Sequence, residues 1–179
     1  MDARAADVLK FWFEELTPKD WFMKSDDLDN QIKLRFKELL DSAKQSEYYS
    51  WRTTPKESLA EVILLDQFAR NIYRDTPEAF DADPLALSLS QHAIEKGFDK
   101  ELSDVEKSFL YMPFMHSESK QIHVEALVLF KDLPANYDFE LRHKEIIDRF
   151  GRYPHRNKIL GRESTPEEIE FLKTPGSGF

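Results

Sequence analysis

Arg152, His155, Arg156 and Arg162 stand within one short stretch, Phe150-Gly151-Arg152-Tyr153-Pro154-His155-Arg156-Asn157, which runs on to Leu160-Gly161-Arg162-Glu163. A solvated helix face needs neither two glycines nor a proline among its cations. A helix opening after Pro154, with guanidinium groups beside it, favours an anion. Arg152, Arg156 and Asn157 are therefore candidate ligand-binding residues, and His155 is a candidate acid–base group. The competing structural reading has Arg152 and Arg156 capping carbonyls of the preceding helix or pairing with Glu163 and Glu167.

A second polar stretch is Leu65-Asp66-Gln67-Phe68-Ala69-Arg70-Asn71-Ile72-Tyr73-Arg74. Spacings of three and four place Asp66, Arg70, Tyr73 and Arg74 on one broad helical face. Arg70, Asn71 and Arg74 read as a pocket wall, because the planar guanidinium binds carboxylate or phosphate with two parallel hydrogen bonds. Asp66 would orient Arg70. The competing reading is an Asp–Arg surface pair flanked by solvated arginines.

A third stretch, Tyr111-Met112-Pro113-Phe114-Met115-His116-Ser117-Glu118, delivers a histidine at a turn after proline. His116 suits proton transfer, since imidazole ordinarily titrates near neutrality, and Glu118 would set its tautomer. Alternatively, Ser117 caps the next helix and Glu118 complements its dipole. No metal is expected. Glu140-x-x-His143 is half of a di-carboxylate motif that needs a second copy. His116 and His123 lie about 10.5 Å apart along a helix, too far for one ion. Phosphate-loop, dinucleotide and Gly-x-Ser-x-Gly patterns are absent, and no cofactor is expected.

The elements that must position these residues read as helices almost throughout. Ala6, Leu9, Phe13 and Leu16 recur at helical spacing over 2–16. Trp21 and Phe22 fall in a connection and are expected to plug the core. Ser25 caps a helix over 25–45, with Leu28, Ile32, Phe36, Leu39 and Leu40 inward. Thr54, Pro55 and Glu57 form a capping box that opens a helix reaching about Tyr73. Asp83-Pro84 opens the next, and Gly97 ends it. Ser103-x-x-Glu106 opens another, which Pro113 breaks or kinks near its end. Further helices are expected at about 118–131 and 138–149, the latter stopped by Gly151, and Thr165-Pro166-x-Glu168 opens a short last one. The tail from Thr174 to Phe179 reads as loop, anchored by Phe179.

The length of 179 residues predicts a single compact domain over 1–179. Domains commonly run to roughly 100–200 residues. The 14 phenylalanines supply much of the core. A net charge of −9 disfavours nucleic acid, whose phosphates call for a basic footprint. The absence of cysteine excludes disulfides, thiol nucleophiles and cysteine-based metal sites and fits a reducing cytoplasm. No signal pattern or membrane-length apolar run is visible. No regular 34-residue repeat is seen.

The same polar blocks carry a resemblance. The Leu65–Arg74 run with Ala79-Phe80 and Asp83-Pro84-Leu85-Ala86-Leu87, the Pro113–Glu118 run, the Phe150–Asn157 run, Leu160–Glu168 and the Trp12-Phe13 opening resemble the bacterial family called domain of unknown function 924. The likeness covers essentially the whole chain. Ala69 stands where the family usually has proline, and Tyr153 where phenylalanine is usual. The resemblance implies an all-α fold of antiparallel helical hairpins in a tetratricopeptide-like right-handed array, and no particular activity.

These readings converge on a cytoplasmic all-α protein whose polar pocket binds a small anionic molecule. Arg70, Asn71, Arg74, Arg152, Arg156 and Asn157 bind, His116 and His155 are the acid–base candidates, and Asp66 and Glu118 orient them. The alternative is an interaction scaffold that takes a protein partner in a groove lined by Tyr73, Tyr111 and Phe114. A hydrolase or transferase using the same pocket is third, since it needs a nucleophile or metal that the sequence does not show.

Overall fold

The computed structural model describes residues 1–179 and is all-helical, with no strand. No helix is long and apolar enough to cross a membrane. The chain groups into two compact units, Met1–Arg74 with Glu78–Pro113, and Asp75–Pro77 with Phe114–Phe179.

The first unit opens with α1 (Ala3–Lys10), which passes directly into a wide π turn, Phe11–Glu15. The Leu16 amide reaches back five residues to the Phe11 carbonyl. The turn buries the adjacent Phe11 and Trp12. The following one-turn helix α2 (Pro18–Phe22) occupies what the sequence presents as a connection. Its Trp21 indole donates to the Trp12 carbonyl at 2.8 Å and meets Phe109 edge-on at 5.0 Å. Phe22 does not plug the core: it is 70% exposed. Successive residues of a helix point about 100° apart, so a single turn brings one of the two aromatics inward.

Helix α3 (Asp26–Lys44) starts at Ser25, whose hydroxyl accepts from the Leu28 amide, with three aspartates in its first turn. Helix α4 (Pro55–Ile63) continues through a second π turn, Leu64–Phe68, into α5 (Ala69–Ile72). The expected capping box at Thr54 does not close. Glu57 instead takes the Thr54 hydroxyl at 2.6 Å and the Asp2 amide at 2.6 Å, a partner 55 residues away. The second π turn buries Leu64, Leu65, Asp66, Gln67 and Phe68 together. Ala69 donates its amide across that turn to the Leu64 carbonyl, a bond that proline at this position cannot make. Phe68 packs on Phe36 at 4.8 Å and on Phe11 at 5.9 Å. With the Phe11–Phe36 contact, these three rings form the aromatic centre of the unit.

Helix α6 (Asp83–Glu95) ends before Gly97, whose φ is 76°, a left-handed conformation that suits glycine. Helix α7 (Asp104–Met115) opens with the expected Ser103–Glu106 box. Pro113 lies inside α7, which runs on for two residues.

The second unit is built on α8 (Lys120–Phe130) and α9 (Pro134–Phe150), which pack along one another. The link of residues 131–133 makes them an antiparallel hairpin. Gly151, at φ 71°, stops α9. A 3₁₀ turn, Pro154–Arg156, and α10 (Pro166–Leu172) follow, the latter closed by a complete Thr165–Glu168 box. Ile146, Ile147 and Tyr153 form the buried centre, with Phe150 and Phe171 packed against it.

Candidate functional site

The sequence-predicted residues divide between the two units. Asp66, Arg70, Asn71 and Arg74 fall in the first. His116, Glu118, Arg152, His155, Arg156 and Asn157 fall in the second.

In the first unit the guanidinium groups meet carboxylates. Arg70 closes a two-pronged pair on Asp83, at 2.8 and 3.0 Å, and donates to the Asp66 carbonyl at 2.8 Å. The Asp66 carboxylate stands 3.5 Å from Arg70 and takes the Gln67 amide at 2.6 Å. Orientation of Arg70 thus falls mainly to Asp83, on the next helix. Arg74 grips both oxygens of Asp29, at 2.5 and 2.8 Å, and Asn71 joins the same carboxylate at 2.8 Å. Burial raises Asp29, but the Arg74 and Asn71 hydrogen bonds outweigh it and hold the carboxyl below its ordinary value. These residues line an open cleft of about 310 Å³ that also presents Asp26, Asn30 and Lys33. Its acidic wall compensates the guanidinium group that would attract an anion.

In the second unit Glu118 is a junction. Its two oxygens take Arg162 at 2.7 and 2.9 Å, and one also takes the Tyr153 amide at 2.8 Å. Burial raises Glu118, yet the Arg162 bonds and the Tyr153 amide overcome it, and the carboxyl stays below its ordinary value. Glu118 therefore fixes the chain after α9. Arg152 pairs with both oxygens of Glu168, at 2.7 and 2.8 Å, and donates to the Glu163 carbonyl. Those Arg152 bonds lead the causes that hold Glu168 down at about 2. Asn157 joins this network, donating to Ser164 and Glu168 and accepting from Arg162. Arg156 donates to the His116 carbonyl at 3.0 Å and lies 4.6 Å above the Tyr153 ring.

Around Tyr153 the structure assembles histidines that sequence spacing does not join. His123, fully buried, has Nδ1 2.6 Å from Glu140 and Nε2 2.7 Å from the Ser117 carbonyl. A carbonyl only accepts, so Nε2 carries a proton, and one further proton lies between Nδ1 and Glu140. Burial pushes Glu140 above its ordinary value, with His123 offsetting only part. The Tyr153 hydroxyl donates to the Met115 carbonyl at 2.5 Å and lies 3.2 Å from His123 Nε2. Phenylalanine at 153 would make neither contact. His143 donates from Nδ1 to the Phe139 carbonyl at 2.7 Å. Burial, reinforced by His116, His123 and His155 nearby, lowers His143 to about 3, so it is neutral at pH 7.

The sequence reading names Arg162 only among clustered cations, Asp83 only as a helix start, and His123, Glu140 and His143 only in weighing a metal, and it assigns none of them to the site. Glu140-x-x-His143 is visible there only as an incomplete metal motif. The true partner of Glu140, His123, lies on another helix 17 residues away.

Two outcomes follow from this geometry. The Glu118–Arg162 pair is about three-quarters buried. A double-mutant cycle with Glu118→Ala and Arg162→Ala should therefore give a coupling of about 1–2 kcal/mol. The exposed Lys173–Glu170 pair should give close to zero in the same urea titrations. The second outcome concerns acid. The unfolded chain protonates His143 near 6.5 and the folded chain near 3. Between these values the unfolded state binds more protons, and stability falls with falling pH. His143→Asn should flatten the stability–pH curve between pH 6 and 4 by up to about 1.4 kcal/mol per pH unit; unchanged slopes would show that His143 titrates normally.

Comparison with known proteins agrees with this architecture. A solved structure, that of the protein of unknown function ATU0120 from Agrobacterium tumefaciens, is 38% identical, with a TM-score of 0.92 over 96% of this chain and 97% of that one. None of the curated proteins matches the chain. The family model described as bacterial protein of unknown function, DUF924, matches residues 8–176, and the chain belongs to that family.

Proposed function

We propose that the protein binds a small anionic ligand in its second unit, at the face carried by His116, His155 and Arg156. One observation carries this reading: four of the five histidines of a chain with net charge −9 gather with Arg156 near Tyr153. The partly exposed His116 and His155, with Arg156, offer directional donors to a carboxylate or phosphate, while His123 and His143 are buried. Arg70, Arg74 and Arg152 each spend both prongs on a carboxylate, and in this reading they are scaffold. The absence of cysteine suits a cytoplasmic setting.

A second reading, docking of a protein partner, draws on a different surface. Tyr111 and Phe114 are 4% and 3% exposed, so they do not line the groove expected from sequence. An apolar cleft of about 360 Å³ instead lies between Phe13, Leu16, Pro18, Trp21 and Val105, in the same unit as the exposed Phe22 and Met23. An enzymatic use of the histidine face is third, with His116 and His155 as its proton-transfer groups.

Calorimetric titration with orthophosphate and with citrate at low ionic strength tests the first reading. Saturable binding is expected, weakened about tenfold or more by Arg156→Lys or His155→Gln and unchanged by Arg74→Lys. Binding that responds to Arg74 and ignores Arg156 would move the site to the first unit. No binding of either anion by the folded protein would leave the docking reading in its place.

A further inference from the structure

The segment Thr174–Phe179 folds back on the histidine cluster. The Thr174 hydroxyl donates to the Phe171 carbonyl, the Ser177 hydroxyl to the Leu172 carbonyl, and Gly176 turns the chain at φ 76°. Gly178 then passes close to His155. This brings the Phe179 ring face to face with His143, at 3.6 Å between centroids and 19° between planes. The edges of Tyr153 and His155 close the sides at 6.1 and 5.7 Å. Phe179 is nonetheless 56% exposed, whereas His143 and Tyr153 beneath it are buried.

We infer that the slot between His143, Tyr153 and His155 is a stacking subsite for a planar aromatic ligand, and that Phe179 is a removable plug that occupies it. The slot offers one flat imidazole and two aromatic edges, which is how planar rings are held. The plug is weakly secured. It rests on one stacked face and two edges and is more than half exposed, and the preceding Pro175-Gly176-Ser177-Gly178 carries two glycines, which lose much chain entropy when fixed. A competing ring need supply only that stack to displace it. Taken with the anion reading, on which the charge of the ligand rests, the slot makes the ligand an aromatic acid or an aromatic phosphate.

NMR titrations of wild type and Phe179→Ala with benzyl alcohol, benzoate and acetate test the slot separately from the charge. In wild type the His143 ring protons should lie upfield from the stacked Phe179, and Phe179→Ala should remove that shift. Phe179→Ala should bind benzyl alcohol and benzoate about threefold to tenfold more tightly than wild type, with acetate unaffected. Equal affinities for the aromatic probes in the two proteins, or a wild-type His143 without the shift, would overturn the plug. Stronger binding of benzyl alcohol alone, with neither anion bound, would uphold the slot and remove the anion reading.

Discussion

Glu118 is the constraint on which the second unit's polar architecture depends. One carboxylate at the start of the α8–α9 hairpin holds the Arg162 guanidinium and the Tyr153 amide. Arg162 passes the restraint to Asn157 and to the Tyr153 carbonyl, and Asn157 passes it to Glu168, which Arg152 already grips. The chain after Gly151 has little regular structure, so its backbone groups depend on these side chains for partners. Tyr153 is thereby fixed at both ends, its amide on Glu118 and its hydroxyl on the Met115 carbonyl. The histidines are arranged around that fixed ring.

Carboxylates engage guanidinium groups in both units of this acidic chain. Asp29 takes Arg74, Asp83 takes Arg70, Glu168 takes Arg152 and Glu118 takes Arg162, each with two-pronged geometry. Elsewhere in the first unit Arg35 holds Asp7 and Glu15, and Arg52 holds the buried Glu61. A guanidinium group paired this way contributes rigidity and orientation more than attraction for a solute. The histidine face differs in kind, because imidazole changes charge and tautomer with its surroundings. Burial sets His143 neutral, while His123 and Glu140 share a proton out of contact with water.

Local rules make the helix ends legible in sequence. Ser25, Ser103–Glu106, Thr165–Glu168, Gly97 and Gly151 act through partners a few residues away, and each stands where the pattern puts it. The π turns are not legible, since Phe11–Glu15 and Leu64–Phe68 carry no local signature of their own. Glu57 shows the same limit: its box with Thr54 reads correctly until Asp2, far away in sequence, takes the other oxygen. The three polar blocks stand out in sequence as unusual. Their partners are not readable there, because Arg74 to Asp29 spans 45 residues and Arg162 to Glu118 spans 44. Spacing shows that arginines are concentrated, but only the folded chain shows which carboxylates claim them.

The claim that the histidine face, and not the paired arginines, meets the ligand is tested most directly by following all five imidazoles by NMR during a phosphate titration at fixed pH. The account predicts saturable shifts at His116 and His155, with His92 in the first unit unmoved. Equal small shifts at all five, or a response confined to His92, would contradict it.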